Sequence, residues 1–392
     1  MRARAWLILA AIALARLTFG YQYQTIASLA PQLLAQFRLD YAGLGALIGL
    51  FVAPGILLAL PLGLLGRRLG DGMVVLMGLL LLAVGPVIAA VAHTTSGIGA
   101  GRLVAGAGSV AIIVLQNKII SDWFTGRAFM IAISLSIAAY PVGVAAGQIA
   151  VPLVAAAYGL PVAFLSGGVL GGLIALLFGL SYRQSPHTQP APRNFRMPSR
   201  RECLLVAVAG TVWTAYTGSY GGFVSYAPSL LAGRPDDAMV TGVVMAIVTL
   251  GSVPPTLLGG PLAARIGTFV PMLVGALALA IGSLGIALTP WPILSAMIFG
   301  VFGSFNTPVI MAAGTLSARP ENRAAGMGLF YTTYYAGNAV APALCGWAAD
   351  AVGGPAGAFY AAAAIGLLVL PMWLLHAWLS GRADRPRRRP AG

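Results

Sequence analysis

Runs of about twenty apolar residues, separated by short polar turns, recur along the whole chain, and each is long enough to cross a bilayer core as a helix. Six lie near 6–28, 41–65, 73–92, 97–119, 128–151 and 161–181, and six more near 203–226, 240–263, 268–288, 293–316, 324–347 and 357–379. Lipid offers no hydrogen-bond partner to an open backbone, so the pattern predicts an all-α polytopic membrane protein of twelve transmembrane helices. The first run follows Arg2 and Arg4 as a signal peptide would. No small-residue cleavage site precedes Arg16 and the apolar run continues to Ser28, so it reads as the first span. A polar, proline-rich stretch at 182–202 divides an N-terminal six-helix bundle, 1–181, from a C-terminal one, 203–379, and a basic tail follows at 380–392.

The halves repeat one another at an offset of 197 residues. Ser28-Leu29-Ala30-Pro31 aligns with Ser225-Tyr226-Ala227-Pro228, and Arg68 aligns with Arg265. Glycines coincide at Gly45 and Gly242, Gly63 and Gly260, Gly70 and Gly267, Gly78 and Gly275, Gly85 and Gly282, and Gly106 and Gly303. A parallel repeat of six helices implies two bundles related by an axis along the membrane normal, with a site between them near the midplane.

Composition agrees: 59% of the 392 residues are hydrophobic and 8% charged, and mean hydropathy is +0.88. The net charge of +14 would suit a nucleic-acid partner in a soluble protein. Here the basic residues fall between apolar runs and report orientation instead. With both termini cytoplasmic, 19 Lys and Arg residues lie on the cytoplasmic side and only Arg38 and Arg234 on the other. This predicts a multi-pass protein of a bacterial inner membrane with both ends inside. The tail from Arg382 to Arg389 would touch anionic lipid. Cys203 and Cys345 both sit in apolar runs and read as small buried hydrophobes.

Four segments resemble the major facilitator superfamily over essentially the whole chain. The loop between spans 2 and 3, Gly63-Leu64-Leu65-Gly66-Arg67-Arg68-Leu69-Gly70-Asp71, is similar to the family's glycine-bracketed charged loop. It repeats as Gly260-Pro261-Leu262-Ala263-Ala264-Arg265-Ile266-Gly267. Arg67 and Ala264 stand where the family carries aspartate. Arg102-Leu103-Val104-Ala105-Gly106 in span 4 and Tyr140-Pro141-Val142-Gly143 in span 5 resemble two further family motifs. The resemblance implies alternating access between two rocking bundles, with these loop and motif residues serving conformational change. An arginine in span 1, a glycine-rich span 2 and the short chain look like the cyanate and nitrate/nitrite branch, although span 8 lacks the second arginine of nitrate carriers.

Charged residues in a span are costly, so each is a candidate for function. The nine carboxylates, Asp40, Asp71, Asp122, Glu202, Asp236, Asp237, Glu321, Asp350 and Asp384, all fall in or beside loops. A midplane proton carrier or cation receptor is therefore missing, and the deep charges are positive. Arg16 lies mid-span, with Tyr23 and Gln24 on its helical face. An anionic substrate is its natural counter-charge, and a structural role as a carbonyl cap is the alternative. Arg102 reads first as structural or coupling. Gln116 shares its face, and Tyr216 and Tyr220 in span 7, Asn306 in span 10, and Tyr331, Tyr334 and Asn338 in span 11 could complete an anion site.

No phosphate-binding loop for ATP, no metal-ligand spacing and no nucleophile with a base is found, which excludes an enzyme and implies no cofactor. The expectation is a monomeric carrier moving a small anionic solute by alternating access, with Arg16 as its ligand. A coupled exporter of drugs or amphipathic metabolites and a non-transporting membrane sensor are the alternatives.

Overall fold

The computed structural model describes residues 2–183, 198–232, 237–319 and 322–381. Among these there is no strand, and the apolar runs form the twelve expected helices. Helix 1 is Arg2–Ser28, followed by a short segment Ala30–Phe37; helix 2 is Tyr41–Gly49 and Gly55–Leu69; helix 3 is Asp71–Ala90 and helix 4 Thr95–Trp123. Helices 5 and 6 run through Gly126–Ser181 and part at Gly159, whose φ of 82° breaks the spiral. Helix 7 is Arg200–Leu231, helix 8 Asp237–Leu250 and Val253–Ile266, and helix 9 Phe269–Leu288. Helix 10 passes from Pro292–Met297 through a π turn, Ile298–Phe302, and a 3-10 turn, Ser304–Asn306, into Thr307–Leu316. Helix 11 is Arg323–Val352, and helix 12 is Ala356–Leu367 and Val369–Ser380. Most of the linker, 184–197, and the tail from 382 lie outside the described residues, as does the side chain of Arg67.

The partition of side chains is that of a protein dissolved in lipid. Leu57, Leu153, Leu180, Leu288 and Trp378 stand exposed on the outer wall, whereas Gln22, Gln24, Ser109, Gln116, Ser136, Gln148, Asn306 and Asn338 are buried. Without water to drive apolar faces together, the helices pack through small residues that let backbones approach. A Cβ on Gly78 would meet the Gly108 carbonyl, and one on Gly101 the Gly85 carbonyl, so helices 3 and 4 lie nearly backbone to backbone. Helices 1 and 5 cross the same way: a Cβ on Gly143 would strike the Leu17 carbonyl and one on Gly20 the Tyr140 carbonyl. This crossing brings Tyr140 beside Arg16.

The repeat is visible in the backbone. Gly70 and Gly267, 197 positions apart, end helices 2 and 8 with φ of 88° and 86°. The bare Cα of glycine permits that left-handed turn.

Hydrogen bonds between the halves cluster at one end of the bundle. Asp350, near the end of helix 11, accepts from the backbone N–H groups of Tyr41 and Ala42 at 2.9 and 2.8 Å. Tyr226 donates to the Tyr41 carbonyl at 2.9 Å. Glycines 45 and 49 of helix 2 lie against the carbonyls of Pro342 and Ala339 of helix 11, and Gly346 lies against that of Tyr41. At the opposite end, the described polar clasps join elements within a half: Lys118 pairs with Asp71, and Glu202 holds the segment before helix 11. The molecule is thus closed on the side of Asp40 and Asp350.

Candidate functional site

Two arginines lie deep in the apolar runs of the N-terminal half, Arg102 buried and Arg16 half-buried, and their surroundings differ. The Arg102 guanidinium is fully engaged with backbone: Nε donates to the Leu47 carbonyl at 3.2 Å, Nη1 to Gln22 at 2.5 Å and Nη2 to Tyr23 at 3.4 Å. Its carbon lies 4.2 Å from the centroid of the Phe51 ring. It ties helices 1, 2 and 4 together, with a backbone carbonyl on each of its three nitrogens. Gly106, one turn on, packs against the Phe51 carbonyl, a contact that a side chain would prevent.

Arg16 makes no hydrogen bond among the described residues, and its Nε is sealed from solvent without a partner. The guanidinium carbon sits 5.9 Å from the Tyr140 centroid, a cation–π distance. Tyr331, Tyr334, Tyr140 and Tyr335 are its electrostatic neighbours, and no carboxylate is among them. The ion pair of Lys118 with Asp71 lies at the end of the bundle. Arg16 therefore holds a positive charge in the middle of the protein with phenol rings, and no counter-ion, around it.

The other expected residues divide into those that join this centre and those that do not. Tyr23 packs among Phe19, Phe51 and Tyr140 with centroids 6.3–6.5 Å apart. Tyr331 and Tyr334 meet edge to face at 6.2 Å beside Arg16. Asn338 donates to Thr217 Oγ1 at 2.8 Å and to the Tyr334 carbonyl at 3.0 Å, so it fixes helix 11 against helix 7 rather than presenting free donors. Tyr220 stacks on Phe299 at 6.3 Å, and Tyr216 shares a 3.1 Å hydrogen bond with Ser304 in the irregular part of helix 10.

Three expected site residues are used elsewhere. Gln24, despite its helical register with Arg16, is fully buried and donates to Gln148 Oε1 at 2.5 Å, with the Val224 carbonyl at 3.5 Å. The register predicts the face but not the neighbour, and helix 5 supplies that glutamine. Gln116 accepts from Ser136 Oγ at 3.3 Å in the helix 4–helix 5 contact. Asn306 is wholly buried against Gly275 of helix 9, with neither amide atom hydrogen-bonded among the described residues. Tyr140 is the residue that sequence reasoning left out of the site. Its signal was the glycine pair Gly143 and Gly147 one and two turns on, which brings helix 5 onto helix 1.

The glycine-bracketed loop motif after helix 2 occupies the end opposite the closed side, as does its repeat after helix 8. Asp71, one residue after the Gly70 turn, pairs with Lys118 of helix 4, so a carboxylate is present although the family's aspartate position holds Arg67. Arg68 and Arg265 are exposed there, Gly260 borders Pro308, and Pro141 is buried within helix 5. In the other half, Glu202 accepts from the Arg319 N–H at 2.8 Å, the Ser199 N–H at 2.7 Å and Asn322 Nδ2 at 3.2–3.3 Å. These donors, the Arg319 backbone first, hold its carboxyl down to about 2. A separate cavity of about 730 Å³ lies among helices 8, 10 and 12, lined largely by Ala, Pro, Leu and Trp. Thr268, His376 and Ser380 are its polar lining residues.

Two six-helix halves meeting at one end over a buried polar centre are the architecture of a membrane transporter and not of an enzyme. The chain belongs to the Major Facilitator Superfamily, whose family model matches residues 12–297 and 293–392. The fold is similar to a solved bacterial homolog of the human lysosomal transporter Spinster in an inward-facing, unoccupied conformation, with TM-score 0.70 and 14% identity over 97% of this chain and 96% of that one. It is also similar to the nucleoside transporter NupG, with TM-score 0.75 and 14% identity over 96% and 100% of the two chains. A variant of the peptide transporter POT in complex with sulfate gives TM-score 0.74 and 14% identity over 95% and 94%. No curated protein matches the sequence.

Proposed function

We propose that this transporter carries a small anion across a bacterial inner membrane by alternating access, with Arg16 as the charge ligand and both termini cytoplasmic. The observation that carries the reading is the contrast between the two arginines. Arg102 spends its donors on three carbonyls, whereas Arg16 faces Tyr140, Tyr331 and Tyr334 with no acidic group to neutralise it. A cation left unpaired in a low-dielectric centre is expensive, and a solute bearing the opposite charge relieves that cost each time it binds. The orientation rests on the excess of basic residues at the end that would face the cytoplasm. In that orientation the molecule is closed to the outside. Inorganic anions such as nitrate and cyanate and small organic anions all meet the charge requirement.

A thermal-shift screen of the purified protein tests the reading, since a ligand that binds only the folded state raises its unfolding temperature. Small anions stabilise the wild type, the shift disappears in Arg16→Ala, and Arg16→Lys recovers part of it. Equal stabilisation of wild type and Arg16→Ala by cations or drug-like compounds overturns the proposal and favours export of amphipathic molecules.

A further inference from the structure

We infer that the transported anion carries one negative charge on a flat aromatic body. This rests on the anion reading above and narrows it to a substrate class. The charge follows from counting cations at the centre. Among the described residues, only Arg16 and Arg102 are charged there, and each nitrogen of Arg102 is already bonded to a carbonyl, of Leu47, Gln22 or Tyr23, whereas Arg16 has no such bond. His376 lies at the end of helix 12, stacked on Trp373 and bonded to Ser317, far along the chain from the centre. One free guanidinium balances one negative charge. A second would be buried without a partner.

The body follows from the wall. Helices 1, 5, 7 and 11 each send tyrosine to the centre: Tyr23, Tyr140, Tyr220, and Tyr331 with Tyr334. Tyr140 has Tyr23, Tyr220, Tyr334 and Arg16 all within electrostatic reach, so both halves contribute to one cluster. None of these five hydroxyls forms a hydrogen bond among the described residues, and none is sealed off as the Tyr335 hydroxyl is. The centre thus offers four half-buried tyrosines, the more buried Tyr23, and one guanidinium. Phenol donors with the guanidinium suit a planar carboxylate. Ring faces suit a second flat ring, which gains stacking contact that a small hydrated ion cannot supply. Ligand sites are commonly built this way, from apolar and aromatic walls with a few placed polar groups.

The experiment measures thermal shift and counterflow in proteoliposomes with a defined panel. Benzoate, phenylacetate and indole-3-acetate are the aromatic monoanions, cyclohexanecarboxylate the saturated control, acetate, nitrate and cyanate the small monoanions, and phthalate the aromatic dianion. At least one aromatic monoanion binds most tightly, and phthalate binds weakly. Tyr140→Leu or Tyr334→Leu weakens the aromatic ligand roughly 3- to 10-fold while sparing acetate. The matching Phe variants retain most of the aromatic preference, which separates ring from hydroxyl. If nitrate, cyanate or acetate binds as well as every aromatic acid, or phthalate binds as well as benzoate, the inference is overturned while Arg16-dependent anion binding stands. If no anion binds in an Arg16-dependent way, both readings fall.

Discussion

The contact that closes the two halves can be weakened by one atom. Asp350 caps the helix beginning at Tyr41, each carboxylate oxygen accepting one N–H from the opposite half. Asp350→Asn keeps one acceptor, turns an NH2 group toward the other N–H, and removes the charge that favours a helix N-terminus. Asp350 is exposed, so solvent screens the interaction and the loss does not exceed the typical capping value, about 1 kcal/mol. That shifts the equilibrium roughly fivefold toward states open on this side. Electron–electron resonance between spin labels at Gln36→Cys and Val352→Cys reads it directly, since both positions are exposed beyond the closed end. The background carries Cys203→Ser and Cys345→Ala. A longer-distance population should grow at the expense of the short one. An unchanged distance distribution in Asp350→Asn refutes the reasoning and leaves closure to the glycine contacts and Tyr226 alone.

Other groups give equally direct tests. The Glu202 carboxyl is held near 2 in the folded protein, below its ordinary 4.5, so its stabilising effect is complete above 4.5 and is lost as pH falls toward 2. Thermal unfolding between pH 7 and 3 should therefore show a decline that Glu202→Gln flattens. Arg102→Lys replaces a fork bonded to three carbonyls with a point charge, and should cost about 2–4 kcal/mol of stability in the ligand-free protein. Scanning calorimetry without added anion checks this, and a stability equal to wild type would mean that the carbonyls find other donors.

Most of the fold was legible because the bilayer imposes a coarse rule. A helix that crosses lipid writes its length as an apolar run, and a duplicated bundle writes its offset as coincident glycines. The two loop turns, Gly70 and Gly267, appear in the structure with nearly the same φ, as an inherited repeat requires. The breaks within helices 2, 8, 10 and 12 were not legible, since a π turn at Ile298–Phe302 or an interruption between Gly49 and Gly55 leaves hydropathy unchanged. The extra turns of helix 11, to Val352, were missed for the opposite reason. Its last turns carry Asp350 into the interface, where hydropathy no longer marks a helix.

The candidate site shows where reading along one helix stops being informative. Periodicity placed Tyr23 and Gln24 on the face of Arg16, yet the two have different fates because different helices meet that face. Tyr23 joins the aromatic cluster, and Gln24 is taken by Gln148. Likewise, hydropathy alone does not separate Arg16 from Arg102; the motif around Arg102 marked it as structural or coupling, without showing what it would bond. What separates them is whether a neighbouring backbone offers carbonyls. The irregular backbone between Leu47 and Gly55 frees one at Leu47, and the top of helix 1 supplies two more, so Arg102 is satisfied within the protein. Arg16 lies in an unbroken stretch of helix 1, and among the described residues its guanidinium bonds to no carbonyl, its buried Nε being left without a partner. An arginine in that position keeps its donors unspent, and this distinction belongs to the helices packed around helix 1 rather than to either residue's own sequence.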